Sequence, residues 1–218
     1  MIDYGNHDDL VRRVLIDTNV LINPVQRDWV YAFYREDARF EPYVSHWLAE
    51  ETGNVLFRLR KERYKGKQGK QKQLKKIPPE ESQKVYKLLK GIGELLPRMD
   101  SRLERDSFVG HDRGDLFLHS AMIRGECTCL LTNDKGIYGW LSEAQQAELG
   151  YEVMTADMFL CSLTEDRAVF FRTLNRQFEK YARNGGRAYP RMVDGLRRAQ
   201  CLRFADRVAG LAQPPTSS

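Results

Sequence analysis

The chain has 218 residues, of which 42% are hydrophobic and 11% aromatic, enough to bury a core and too many for a largely disordered chain. No apolar run approaches the roughly 18 residues needed to cross a bilayer. The first ten residues carry Asp3, Asp8 and Asp9 instead of a cationic export signal, and the four cysteines (Cys127, Cys129, Cys161, Cys201) contain no C-x-x-C pair. A membrane-spanning protein, a disulfide scaffold and a collagen-like chain are excluded, and reduced thiols in a cytoplasmic protein are expected.

The formal charge of +5 is unevenly spread. Residues 58–76 hold ten Lys/Arg and one acid, residues 164–218 hold eleven and five, and the remainder holds 14 basic and 24 acidic residues. An acidic body suits a metal cation, and basic appendages suit phosphates. A Lys-rich loop that merely keeps the chain in solution is the plainer alternative.

In chain order, residues 12–16 form a short apolar run ending at Asp17-Thr18-Asn19, the pattern of a buried strand. Residues 27–38 fit a helix with Trp29, Val30, Phe33 and Tyr34 on one side, and 40–44 a second strand. Ser45 is placed to cap a helix running from His46 to about Arg60. Residues 61–76 lack an apolar period and predict a mobile loop. Pro78-Pro79-Glu80-Glu81 opens another helix, ended by Gly91, Gly93 and Pro97. A helix is expected over 112–124, a third strand over 127–131, a helix over 141–149 stopped by Gly150, a fourth strand over 151–154, and a further helical turn capped by Thr155. Strands alternating with helices predict an α/β fold with a mostly parallel sheet. Beyond Thr164 the pattern is helical and Arg-rich, broken at Asn184-Gly185-Gly186, with a frayed end from Gln213.

Ligands of open parallel sheets lie outside the C-terminal strand ends. Asp17 and Asp134 both fall there, with Thr18, Asn19, Thr132 and Asn133 beside them. A lone Asp at such a place is most often a helix cap; two in one sheet are less easily explained so. Helical phase adds two acids. Leu48, Val55 and Leu59 mark an inward face that Glu51 shares, whereas Glu50 lies about 100° round the helix. Asp115 shares the face of Leu118, Ala121 and Met122, with Asp112 one turn earlier. No Lys or Arg lies on those faces, so the carboxylates are either protonated or held by a divalent cation. Oxygen donors without a His or Cys cluster indicate Mg²⁺ or Mn²⁺.

The strings VLIDTNVLI (14–22), VSHWLAEETGNVL (44–56), DLFLHSAMIRGECTCLLTND (115–134) and GYEVMTADMFL (150–160) resemble PIN-domain nucleases, with VapC-like toxins the nearest in appearance. The resemblance covers residues 11–163, interrupted by the basic insertion at about 58–76, and leaves 164–212 as an Arg-rich helical C-terminal extension. It implies a PIN-like three-layer α/β/α fold and a Mg²⁺- or Mn²⁺-dependent endoribonuclease. Asp17, Glu51, Asp115 and Asp134 match the family's metal-binding acids, Thr132 its supporting hydroxyl, and Asn19 the polar residue after the first acid. The implied reaction is in-line attack of activated water on an RNA phosphodiester, releasing a 3′-hydroxyl and a 5′-phosphate without a protein nucleophile. A structured RNA such as tRNA is the implied substrate, an antitoxin the implied partner and a homodimer the implied assembly. Arg58, Arg60, Lys61, Arg63, Lys65, Lys67, Lys70 and Lys72 are the candidate RNA contacts.

The chain departs from the compact family pattern in the long basic insertion, in residues 98–109, which read poorly as a strand, and in the helical tail. A haloacid-dehalogenase phosphatase would need a second Asp where Asn19 stands, and no G-x-G-x-x-G follows a strand. His7, His46, His111 and His119 are too scattered, and Cys127 and Cys129 wrongly spaced, for zinc. The alternative from another class is a catalytically inactive PIN-fold RNA-binding or regulatory protein. In the tail, Phe170, Phe171, Leu174 and Phe178 predict an apolar side that packs on the body.

Overall fold

Arg13-Val14-Leu15-Ile16 has apolar residues at successive positions, so both of its faces must be covered. The computed structural model, which describes residues 11–65, 79–96, 113–134, 136–137, 142–183 and 187–211, makes Arg12–Ile16 the central strand β1, with Val14, Leu15 and Ile16 fully buried. Chain order continues through α1 (Thr18–Leu21), α2 (Pro24–Glu36), β2 (Phe40–Ser45), α3 (His46–Lys65), α4 (Pro79–Ile92), β3 (Glu94–Leu96), α5 (Arg113–Arg124) and β4 (Cys129–Leu131). It ends with α6 (Glu143–Glu148), β5 (Glu152–Met154), α7 (Ala156–Ser162), α8 (Arg167–Ala182), α9 (Ala188–Arg198) and α10 (Leu202–Gly210).

Among the described residues the five strands are all parallel, in the order β3-β2-β1-β4-β5. The chain therefore winds outward from β1 to β3, then returns to the other side of β1 for β4 and β5. That reversal makes a topological switch point between β1 and β4, where a crevice opens at the strands' C-terminal ends. Ile16 pairs with Leu131 in the register, which sets Asp17 beside Thr132 at that crevice.

Most element positions agree with the sequence expectation, and the differences have physical causes. β3 was not foreseen: three residues directly after a helix show no period. It forms because Gly93 lets the chain turn hard against β2, where an added Cβ would stand 2.0 Å from the Pro42 carbonyl oxygen. α3 continues to Lys65, into the segment expected as a loop, because Lys, Arg and Glu propagate a helix well even without an apolar face. Leu59, expected to be inward, is 40% exposed for the same reason: α3 has outrun the surface it packs on. β4 begins at Cys129, two residues late, after a left-handed Glu126 ends the turn that follows α5. Gly150 does stop α6, at φ 71°, and Ser45 caps α3, its Oγ accepting from the Leu48 N–H at 3.1 Å. The break at 184–186, the frayed end and residues 66–78 and 97–112 lie outside the described residues.

The C-terminal helices share one hydrophobic core with the sheet layers. Phe204 of α10 meets Trp29 of α2 edge-on at 4.9 Å, and Phe170 of α8 stacks on Phe33 at 6.3 Å. Val169, Phe170 and Leu174 are buried as the packing expectation requires, but Phe171 and Phe178 are each 44% exposed and belong to the outer face of α8. Polar clamps add to the joint: Arg172 and Arg176 pair with Glu36, and Lys180 with Asp28. Among the described residues no helix is long and apolar enough to cross a membrane.

Candidate functional site

The switch point is built first by Asp17. It is 7% exposed and extended in backbone, and it caps α1, its Oδ1 accepting from the Thr18 N–H at 2.6 Å. The commonest role of such an Asp is thus fulfilled, yet it uses only one oxygen. Oδ2 accepts from Thr132 Oγ1 at 2.6 Å and from Asn19 Nδ2 at 2.5 Å. Asn19 Nδ2 also reaches Thr132 Oγ1 at 2.9 Å, and the Asp134 N–H donates to that same hydroxyl at 3.0 Å. Three sequence candidates from two adjacent strand ends are therefore tied into one cluster, with the backbone of a fourth.

Glu51 arrives from α3. Thr18 Oγ1 donates to its Oε2 at 2.7 Å, and Thr52 supports Thr18 from behind at 3.4 Å. Glu51 is half-buried and Glu50 exposed, as helical phase predicted. Asp134 is exposed, and its Oδ1 is held by the Gly136 N–H at 2.7 Å. Asp115 stands half-buried in the first turn of α5. Burial pushes the Tyr151 phenol up, and the charge of Asp115 pushes it further. Tyr151 in turn bonds His119 Nδ1 at 2.9 Å, which makes His119, 2% exposed, a structural neighbour of Asp115.

The electrostatics single out Asp17. Burial raises its carboxyl from 3.8 to about 6; the Thr132 and Thr18 hydrogen bonds oppose the rise, and the nearby charges of Glu51 and Asp134 add to it. Among the described residues no Lys or Arg pairs with it.

The donor chemistry of Asp17, Glu51, Asp115 and Asp134 fits a hard divalent cation: all donors are carboxylate oxygens, and Asp17 Oδ1 keeps lone-pair capacity beyond its single hydrogen bond. Among the described residues no three His, Cys, Asp or Glu side chains stand close enough together to form a ready-made metal cage. Burial dominates the rise at Asp17, and the negative charges of Glu51 and Asp134 add to it, the situation that a cation relieves.

Of the candidate RNA contacts, Arg58 is exposed on α3; Arg60, Lys61, Arg63 and Lys65 belong to its backbone, with side chains outside the described set; and Lys67, Lys70 and Lys72 lie outside the described residues, as does Asp112. Cys127 and Cys129 are buried, and burial pushes their thiols up to about 11 and about 12, away from the thiolate that metal binding or catalysis needs.

Sequence reading named Asn133 beside the strand-end acids without giving it a role, and it missed Gln26. Asn133 sends its N–H to Asn19 Oδ1 at 2.9 Å and its side-chain Nδ2 to Gln26 Oε1 at 2.8 Å. Gln26 is 2% exposed on α2. The signal was present: Gln26 lies three, four and seven residues before Trp29, Val30 and Phe33, so an amide occupies an apolar face.

The fold and the site together define an α/β protein with an all-parallel sheet and a buried carboxylate, Asp17, at its switch point. No family model, no curated protein and no solved structure matches the chain.

Proposed function

We propose that this chain is a Mg²⁺- or Mn²⁺-dependent endoribonuclease of the PIN type, cytoplasmic, and the toxin of a toxin–antitoxin pair acting on tRNA or another structured RNA. The observation that carries this reading is the Asp17 carboxyl at the switch point, without a basic partner among the described residues and raised to about 6 chiefly by its burial, with a smaller addition from Glu51 and Asp134. Asp17, Glu51, Asp115 and Asp134 are the residues that would hold a divalent cation, which would supply Lewis acidity toward a phosphodiester oxygen. The chain's own part is positional. Thr132 and Asn19 fix the Asp17 carboxylate, Thr18 fixes Glu51, and Asp134 is exposed just beyond β4. The basic run from Arg58 to Lys72 is proposed to hold RNA phosphates beside α3, with an antitoxin and a second copy of the chain as protein partners.

The deciding experiment incubates the purified protein with total cellular RNA in Mg²⁺ and in EDTA, and maps new 5′ ends. Discrete 5′-phosphate ends, absent in EDTA and absent with Asp17→Asn, are expected. Cutting that survives both treatments rejects this chemistry; RNA binding without metal-dependent cutting by the wild type turns the reading to a binding protein.

A further inference from the structure

One chain of hydrogen bonds leaves the Asp17 pocket and does not stop at the sheet. Asn19, which donates to Asp17, is itself held through Oδ1 by the Asn133 N–H. The Asn133 side chain is clamped from two sides: Nδ2 donates to Gln26 Oε1 at 2.8 Å, and Oδ1 accepts from the Ala156 N–H, at the start of α7, at 3.3 Å. Gln26 then uses its remaining group, Nε2, to donate to the Ala199 carbonyl at 2.7 Å, in the turn between α9 and α10. That turn is conformationally demanding, since Gln200 sits at φ 62°.

A glutamine with 2% exposure among Trp29, Val30 and Phe33 is stable only if its polar ends are matched. Here its oxygen is spent on the site and its nitrogen on the C-terminal helices. Leu or Met would fill the space without that desolvation penalty. We infer that Gln26 is a positioning residue through which the α9–α10 turn sets Asn133, and through it Asn19 and the Asp17 carboxylate, so that the C-terminal helices are part of the site's construction. As a statement about catalysis, the inference rests on the nuclease reading above; as a statement about the pocket's geometry, it does not.

The test uses the full chain with Gln26→Met, Asn133→Ala, the double variant and Gln26→Glu. The substituted carboxyl of Gln26→Glu keeps an acceptor for Asn133. The first readout is the side-chain amide NMR signal of Asn19. It is expected to shift with Gln26→Met, although Asn133 stands between the two residues in the hydrogen-bond chain, and to return toward its wild-type position with Gln26→Glu. The second is RNA cleavage. Gln26→Met and Asn133→Ala are each expected to lower kcat about 10- to 100-fold, a range seen when residues supporting a metal ligand are lost, with KM little changed. The double variant is expected to be no worse than Asn133→Ala alone, because both break one chain.

An Asn19 signal unmoved by Gln26→Met in a folded protein overturns the inference, and so do independent, multiplying losses in the double variant. Should Gln26→Met fail to fold, Asn133→Ala decides: a shifted Asn19 signal and a changed Ala199 environment support the relay, and an unchanged Ala199 overturns it. If the wild type cuts no RNA, the nuclease reading falls, and the NMR comparison still decides this one.

Discussion

Around Trp29 the interior is built of rings; one turn back along α2, around Gln26, it is built of amides and carboxylates. The first region joins α2, α8 and α10 through Trp29, Phe33, Phe170 and Phe204, with ring centroids 4.9 to 6.3 Å apart. The second joins β1, β4 and α1 through Asp17, Asn19, Thr132 and Asn133, with every contact a directed hydrogen bond. The rings are buried, as are Asp17 and Thr132, with Asn19 and Asn133 half-buried, but the physics of the two regions differ. Ring packing is non-directional and stabilises in proportion to area removed from water. A buried carboxylate destabilises unless something neutralises it. The aromatic joint therefore supplies stability against which the polar pocket can hold a strained charge.

The largest expected effect breaks the aromatic side. Phe204 is fully buried, and Phe204→Ala should destabilise the protein by about 3–5 kcal/mol, measured by urea unfolding followed by circular dichroism. A loss below about 1 kcal/mol, the scale of an ordinary surface change, would make α10 a mere appendage and dissolve the contrast.

The polar side should show its strain as a pH dependence. The folded Asp17 carboxyl sits at about 6 against 3.8 ordinarily, so between these values the folded state keeps a proton that the unfolded chain has released. Its favourable contribution is complete below about pH 4 and is lost as pH rises through 6. In EDTA, stability should fall by up to about 3 kcal/mol between pH 4 and 8, from about two pKa units at 1.36 kcal/mol each. Asp17→Asn should remove this component from the profile, and adding Mn²⁺ to the wild type at pH 8 should recover the loss. A wild-type profile unaffected by Asn substitution and by Mn²⁺ would mean that the pocket is not strained.

The smallest effect sharpens the comparison at the element that delivers Glu51. Ser45 caps α3 from the end of β2, and Ser45→Ala should cost about 1 kcal/mol. Hydrogen exchange at the Leu48 amide should speed up while exchange in α2 does not change. Equal acceleration in both helices would show that α3 has no local stability of its own.

Asp17, Asn19, Thr132 and the backbone of Asp134 meet as the strand-end argument required, because parallel strands in register bring successive C-terminal ends to one edge whatever lies between them. Glu51 was legible through helical phase for a similarly local reason. Gln26 was not combined with them, and Asn133 stood beside them without its bonds, since those bonds span 107 and 114 residues in sequence and only the packing of α2 under the β4 end makes them. β3 was invisible because three residues carry no period, and its formation depends on a close approach at Gly93.

By itself, the sequence determined the α/β alternation, the buried central strand, the caps at Ser45 and Thr155 and the half-buried placing of Glu51 and Asp115. All of these follow from short-range spacing and side-chain chemistry. The strand order, the continuous core shared with the C-terminal helices and the amide chain from Asp17 to Ala199 were decided by tertiary structure alone. They depend on which distant surfaces exclude water together, and no local period records that choice.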